Sequence, residues 1–409
     1  MEHVYASVDI GSDTIKVVVC ELHQNHLNLL AAKSVPSKGI KKGLIINPEL
    51  AKESIIEALK ETEAMLGVRI KKVVATVPCH FVDYKLIKGK CQITGDLITG
   101  NDIINSYKEG IKKELSLNEE FVTVVPIDFK INDKTIIKDP KNFPGQTLMG
   151  RAMMATVPKK NVYSVASIIE SIGIELSDIS LGSIGDINCF KNKEIDESIS
   201  AIINIGGDMT TISLYNKSIP VSTKIISAGG KDIDKDLAYM YRISTEDARK
   251  IKENFALAHK KNASKNEYYE LNDIEGKKIK ISEYHASEVV YSRINEILEA
   301  AKKELGGLTN KQIQYIIVTG GISNMIDFEL CLKDVMLSAV KGDVKLVGLR
   351  NNKYSTAIGN IIYFLNTLKL KGMDYSMLSE DDMDKLSSPN KSNNEGTVLG
   401  KVFNYFFGE

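Results

Sequence analysis

With 409 residues the chain exceeds what one compact core holds, so two or more domains are expected. Apolar residues at 43% and charged residues at 26% fit a soluble globular protein, and 53 Lys plus Arg against 53 Asp plus Glu, without a basic stretch, exclude nucleic acid as the main partner. Scattered cysteines (Cys20, Cys79, Cys91, Cys189, Cys331) without a CxxC pair, an opening strand in place of a leader, and no apolar run of the ~18–20 residues a membrane span needs lead to the expectation of a cytoplasmic protein.

The first half alternates strand and helix, the pattern of α/β architecture. Residues 4–8 form an apolar strand that ends in the turn Asp9-Ile10-Gly11-Ser12-Asp13, and a second strand follows through 15–20. Another strand is predicted over 27–32 and a helix over 48–66, with Asn47 as N-cap, Pro48 at the first helical position and Gly67 closing the C-terminus. The helix face is read as Leu50, Ile55, Ile56, Leu59 and Leu66, and residues 73–77 then make a buried strand. From 85 to 159 the character changes. Short alternating segments, punctuated by Pro126, Pro140, Pro144 and Gly145, surround one helix near 102–115 and read as a small α+β insertion. The α/β pattern resumes with a helix over 162–172, closed by Gly173.

The second half repeats the opening. Residues 201–203 lead into Asn204-Ile205-Gly206-Gly207-Asp208, and a strand follows over 211–215. A strand over 221–226, the pair Gly229-Gly230 and helices near 232–241 and 244–255 come next, the last with Ser244 and Asp247 at capping-box spacing. The lysine-rich stretch 260–280 reads as a surface excursion with a short hairpin. A long amphipathic helix over 283–305 and a strand over 314–318 then lead into Thr319-Gly320-Gly321. Beyond Gly372 the chain turns polar, and residues 372–396 are expected to form a disordered linker. In 397–409, Val398, Val402, Phe403, Phe406 and Phe407 recur at helical spacing with Leu399 beside them, the form of an amphipathic membrane-targeting helix.

The doubled turn carries the strongest chemical signal. Glycine lets the backbone turn with positive φ and brings bare N–H groups against a ligand. Two such hairpins, one per half, can grip a phosphate chain from opposite sides, through Gly11, Ser12, Asp13, Thr14 and Lys16 on one side and Asn204, Gly206, Gly207 and Asp208 on the other. The blander reading, turns inherited from a duplicated fold, is weighed down by their matching place in each half. Gly320 and Gly321 add a third backbone surface for the α-phosphate and nucleoside, and Gly229 and Gly230 a fourth. Asp9, at a strand end, is suited to orient a metal-bound water or a lysine.

Taken together, Asp9-Ile10-Gly11-Ser12, Asn204-Ile205-Gly206-Gly207 and Thr319-Gly320-Gly321 resemble the phosphate-1, phosphate-2 and adenosine motifs of the actin, heat-shock-ATPase and sugar-kinase superfamily. Residues 36–43, 125–129 and 139–141, the run Ser355-Thr356-Ala357-Ile358-Gly359 and the place of the insertion are similar to one branch, the bacterial FtsA family. The resemblance implies a two-lobed, actin-like α/β fold of the ribonuclease H type. Its subdomains would be 1A (1–84, 160–198, 345–371), the inserted α+β 1C (85–159), 2A (199–230, 306–344) and 2B (231–305). It further implies ATP and Mg2+ in the cleft, with Asp9 at the metal, and self-assembly into polymers. Also implied are binding of the C-terminal peptide of the tubulin-like FtsZ, attachment to the cytoplasmic side of the cell membrane at the division septum, and contact with later division proteins through 1C. Glu288 is implied at the ribose. Arg293, about 140° further around the long helix, is implied at the FtsZ peptide. Alternatives within the superfamily are a pilus-assembly adaptor and a hydrolysing chaperone-type ATPase or kinase.

Two departures bear on chemistry. The family usually has Asp where this chain has Asn204, and a third Gly where it has Asp208. Asn is a neutral acceptor and cannot act as a base, so weak or absent hydrolysis is expected. A carboxylate about 5 Å from a phosphate costs roughly 3 kcal/mol at an effective dielectric near 20, so Asp208 has to point away or lean on the magnesium.

Overall fold

Runs of β-branched residues separated by tight turns build the first sheet. Strands β1 (His3–Ile10), β2 (Thr14–His23) and β3 (His26–Pro36) form an antiparallel meander, and the small pair β4 (Ile40–Lys41) and β5 (Leu44–Ile45) leads to helix α1 (Pro48–Leu66). The Asn47 side chain accepts from the Leu50 N–H at 3.2 Å, and Gly67 ends α1 in the left-handed region at φ 76°. The buried face of α1 runs through Ala51, Ser54, Ile55, Ala58, Leu59 and Thr62. Leu50 is exposed, because it falls outside the arc defined by positions 51, 54, 55, 58, 59 and 62. In this computed structural model residues 3–387 are described, so the tail over 397–409 and its apolar residues lie outside the described residues.

Strand β6 (Lys72–Val77) runs parallel to β1. A separate unit follows: β7 (Asp83–Gln92), α2 (Gly100–Glu114), β8 (Glu119–Ile131), β9 (Thr135–Ile137) and β10 (Thr147–Pro158) make a four-stranded sheet in the order β7-β10-β8-β9. Its core includes Ile87, Ile103, Phe129, Leu148 and Met154. Helix α3 (Lys159–Ser171) returns the chain to β11 (Glu175–Leu181), completing a five-stranded sheet of order β11-β6-β1-β2-β3.

Helices α4 (Gly182–Phe190) and α5 (Lys193–Glu197) lead to the second lobe. Here β12 (Ile199–Ile205), β13 (Thr210–Asn216) and β14 (Ile219–Ile226) repeat the meander. Then come α6 (Gly230–Tyr241), α7 (Thr245–Asn254), the hairpin β15 (Tyr268–Asn272) with β16 (Lys278–Ser282), α8 (Glu283–Leu308), β17 (Tyr315–Thr319), α9 (Phe328–Val335) and β18 (Ala339–Lys341). The sheet order is β14-β13-β12-β17-β18. An antiparallel meander with two parallel strands added beside its first strand is thus built twice, each copy over its own core. Helix α10 (Ser355–Lys371) brings the chain back onto the first lobe.

The polar stretch after Gly372 departs from the expected linker. Helix α11 (Glu380–Ser387) forms, and Met377 and Leu378 join the first-lobe core at 3% and 8% exposure. The Val4 N–H donates to Ser376 Oγ at 3.2 Å, Tyr5 Oη donates to the Tyr375 carbonyl at 2.8 Å, and the Met377 N–H donates to the Val4 carbonyl at 2.9 Å. Even the acidic run is anchored, since Asp382 accepts from Lys71 at 3.0 Å and from Ser379 at 2.8 Å. Met377→Ala and Leu378→Ala are each expected to destabilise the first lobe by about 2–4 kcal/mol in denaturant unfolding. An unchanged midpoint would mean that this segment is not part of the core. Among the described residues, no helix is long and apolar enough to cross a membrane.

Candidate functional site

The two glycine turns face each other across the cleft between the lobes. In β1–β2 the register pairs Asp9 with Lys16 and Ile10 with Ile15, and the Gly11 N–H donates to the Thr14 carbonyl at 3.2 Å. In β12–β13 it pairs Asn204 with Thr211 and Ile205 with Thr210, and the Gly206 N–H donates to the Met209 carbonyl at 3.0 Å. The same turn is therefore built twice. The two tips nearly touch: a Cβ on Gly207 would stand 2.5 Å from Asp13 Cβ, so a side chain there would separate the lobes. Gly320, at φ 98°, passes the Ile205 carbonyl so closely that a Cβ would lie 2.2 Å from it.

Around these turns lies a cleft of about 660 Å³. Asp9, Gly11, Ser12, Asp13, Thr14 and Lys16 line it from the first lobe, and Asn204, Gly206, Gly207, Gly230, Gly320 and Gly321 from the second. Asp9 accepts from Lys16 Nζ through Oδ2 at 2.8 Å, with both side chains largely buried. Lys231, Arg249, Lys252 and Lys353 also line the cleft. Burial and the neighbouring Lys16 hold Lys353 below the ordinary lysine range. Lys252 is tied down by Asp234 at 2.7 Å and by the Gly230 carbonyl at 3.1 Å. A magnesium ion asks for one or two carboxylates plus phosphate and water oxygens, a requirement the Asp9 carboxylate fits. Among the described residues, no group of three His, Cys, Asp or Glu could hold a metal by itself.

Asp208 and Gly229 sit behind the turns rather than in the cleft lining. The Asp208 carboxylate accepts the Lys42 N–H at 2.9 Å and meets Lys231 Nζ at 3.1 Å, outside the cleft lining. Gly229 passes against the carbonyls of Gly206 and Gly207, and the N–H groups of Gly230 and Lys231 donate to those carbonyls, each at 2.9 Å. Glu288 does not line the cleft; it is half-buried and bonded to Lys260 Nζ at 2.7 Å. Arg293 lies on the same helix, and its fork holds Asp236 at 2.6 and 2.9 Å while Nη1 reaches Glu296 at 2.6 Å.

Among the cleft residues without a sequence signature of their own, alongside Arg249 and Lys231, is Asp186. Helix α4 carries it at 3% exposure. Its Oδ2 accepts from Asn204 Nδ2 at 2.8 Å, and its Oδ1 accepts from the hydroxyls of Thr356 at 2.8 Å and Ser355 at 3.1 Å. Burial pushes the carboxyl up to about 6 against these three donors, and nearby Asp9 adds to the rise. The carboxylate missing from position 204 is thus found one hydrogen bond away, on a helix. Asn204 serves as the donor that satisfies it. The only sequence signal for this was the glycine-bearing run Gly182-Ser183-Ile184-Gly185-Asp186.

The profile of the family described as Cell division protein FtsA matches residues 201–359. The Cell division protein FtsA of Bacillus subtilis (strain 168) is 28% identical over 374 residues, covering 90% of this chain and 85% of that protein. The one from Streptococcus pneumoniae serotype 2 is 27% identical over 307 residues, covering 74% and 67%. Among solved structures, a PilM-PilN type IV pilus biogenesis complex superimposes with a TM-score of 0.59 at 13% identity, covering 90% of this chain and 98% of that one. MreB5 of Spiroplasma citri bound to ADP does so with a TM-score of 0.56, also at 13% identity and with the same coverage.

Proposed function

We propose that this chain, a relative of the FtsA cell-division proteins with an actin-like fold, is a nucleotide-gated scaffold on the cytoplasmic face of the membrane at the division septum. The observation that carries the reading is the pair of equivalent glycine turns facing each other across one cleft. ATP would lie with its phosphates between Gly11–Thr14 and Gly206–Gly207 and its nucleoside along Gly320 and Gly321. Magnesium would be held by Asp9 together with phosphate oxygens and would offset the phosphate charge. Asn204 supplies no base, and Asp186 is committed to three donors, so the chain is expected to hold nucleotide rather than consume it.

In this reading nucleotide binding favours self-assembly, and the inserted four-stranded unit receives later division proteins. The Phe-rich stretch 397–409 binds membrane weakly enough to need many copies acting together. Arg293 receives the acidic C-terminal peptide of FtsZ, and a peptide carboxylate has to replace Asp236 on the same fork. Arg293→Met is therefore expected to weaken that peptide at least about tenfold in a titration, roughly 1.4 kcal/mol. Unchanged affinity would remove Arg293 from the site.

The pilus-adaptor alternative shares the fold, as the PilM-PilN likeness makes plain, but the relatives at 27% and 28% identity are division proteins. Cosedimentation with lipid vesicles and FtsZ tests the assignment. FtsZ is expected to pellet only with this chain and ATP, and to be lost from the pellet when residues 397–409 are deleted. FtsZ that pellets equally without the chain would contradict it.

A further inference from the structure

Contacts of opposite charge cross the mouth of the cleft at the tips of the two turns. Arg249, on α7 of the second lobe, grips both carboxylate oxygens of Asp13 in the first turn, Nη1 to Oδ1 at 3.1 Å and Nη2 to Oδ2 at 2.9 Å. Lys231 donates to the Ser12 carbonyl at 2.7 Å while paired with Asp208 at 3.1 Å. The Lys42 N–H, from the first lobe, completes the bridge by donating to Asp208 at 2.9 Å. These groups stand where the two turns come closest, with Gly207 packed against Asp13.

A guanidinium fork binds a carboxylate and a phosphate with the same pair of N–H groups. It cannot give that pair to both at once. We infer that Asp13 is a built-in competitor for phosphate: Asp13–Arg249, backed by Lys231, latches the two lobes, and the terminal phosphate of a nucleoside triphosphate takes Arg249 from Asp13. The latch makes the cleft a sensor of phosphate number, since a diphosphate reaches the fork less well than a triphosphate. This rests on the nucleotide reading above and adds a regulatory contact to the same site.

Binding of ATP and of ADP, each with Mg2+, to the full chain by calorimetry tests it as a double-mutant cycle. Asp13→Asn is expected to tighten ATP about tenfold and ADP much less. Arg249→Met is expected to weaken ATP about tenfold and erase the preference over ADP. In the Arg249→Met background, Asp13→Asn should then change ATP affinity little, because the competition has been removed. Equal ATP affinity for the parent and Asp13→Asn would overturn the latch while leaving nucleotide binding intact. So would the same tightening with and without Arg249, which would mark a general field effect. If no form bound either nucleotide, the reading of the cleft would fall, and the latch with it.

Discussion

Asn204→Asp is expected to weaken the fold at neutral pH instead of creating a hydrolase. The Asn204 Nδ2 lies 2.8 Å from Asp186 Oδ2, so the substitution sets a half-buried carboxylate against the buried Asp186 where a hydrogen bond stood. Like charges about 4 Å apart repel by roughly 4 kcal/mol at an effective dielectric near 20. The pair would share a proton and titrate as a unit. Burial already holds the Asp186 carboxyl at about 6, above its ordinary range. Such a group favours the fold below the ordinary carboxylate range, and that contribution is lost as pH rises through about 6. A second acid beside it moves the loss to higher pH and enlarges it. Thermal unfolding of Asn204→Asp is thus expected to match the parent near pH 5 and to fall well below it at pH 8. The exchange Asn204→Asp with Asp186→Asn restores one acid and one amide and is expected to recover most of the midpoint. A single variant as stable as the parent at pH 8 would show that Asn204 does not satisfy Asp186.

Gly359→Ala is expected to destabilise by at least about 3 kcal/mol, although alanine is normally the better helix former by up to ~1 kcal/mol. Helices α4 and α10 cross at this residue, where an added Cβ would lie 1.7 Å from the Gly185 carbonyl and 2.9 Å from the Cys189 N–H. These are backbone atoms and cannot swing aside. Forcing the helices apart also draws Ser355 and Thr356 away from Asp186, so the cleft loses its floor. Gly306→Ala and Gly307→Ala provide the contrast, since an added methyl meets nothing within 4 Å at either position of α8. Those two variants are expected to gain about 0.5–1 kcal/mol. If Gly359→Ala behaved like them in denaturant unfolding, the close crossing would be wrong.

How much of this was legible in the sequence follows from the range of each interaction. The twin turns could be read because a strand, a glycine turn and a strand form a local pattern, and α1 could be bounded because Asn47 and Gly67 act on their own helix ends. Asp186, Arg249 and Lys231 left no comparable trace. The motifs beside them, the pair Gly229-Gly230, the capping box of Ser244 with Asp247 and the run 182–186, mark helix starts and turns but not a side chain that reaches the cleft, Asp186 doing so by the glycine contact of α4 with α10. The segment after Gly372 misled for the opposite reason. Its polar composition outweighed Tyr375 and Met377, whose partners Tyr5 and Val4 lie at the far end of the chain, and Leu378, which joins the first-lobe core. Glu288 is implied at the ribose by family likeness, and the structure leaves it half-buried beside Lys260 and outside the cleft lining.

The doubled turn thus frames a cleft whose charges have been redistributed: Asn204 with Asp186, Asp208 with Lys231, and Asp13 with Arg249. We propose that this cleft holds ATP without consuming it. Bound nucleotide and released phosphate, measured together in one sample of purified chain with ATP and Mg2+, test it most directly. About one ATP retained per chain is expected, with turnover far below the roughly 1–10³ per second of ordinary enzymes. Phosphate release in that ordinary range, or no retained nucleotide at all, would contradict the account.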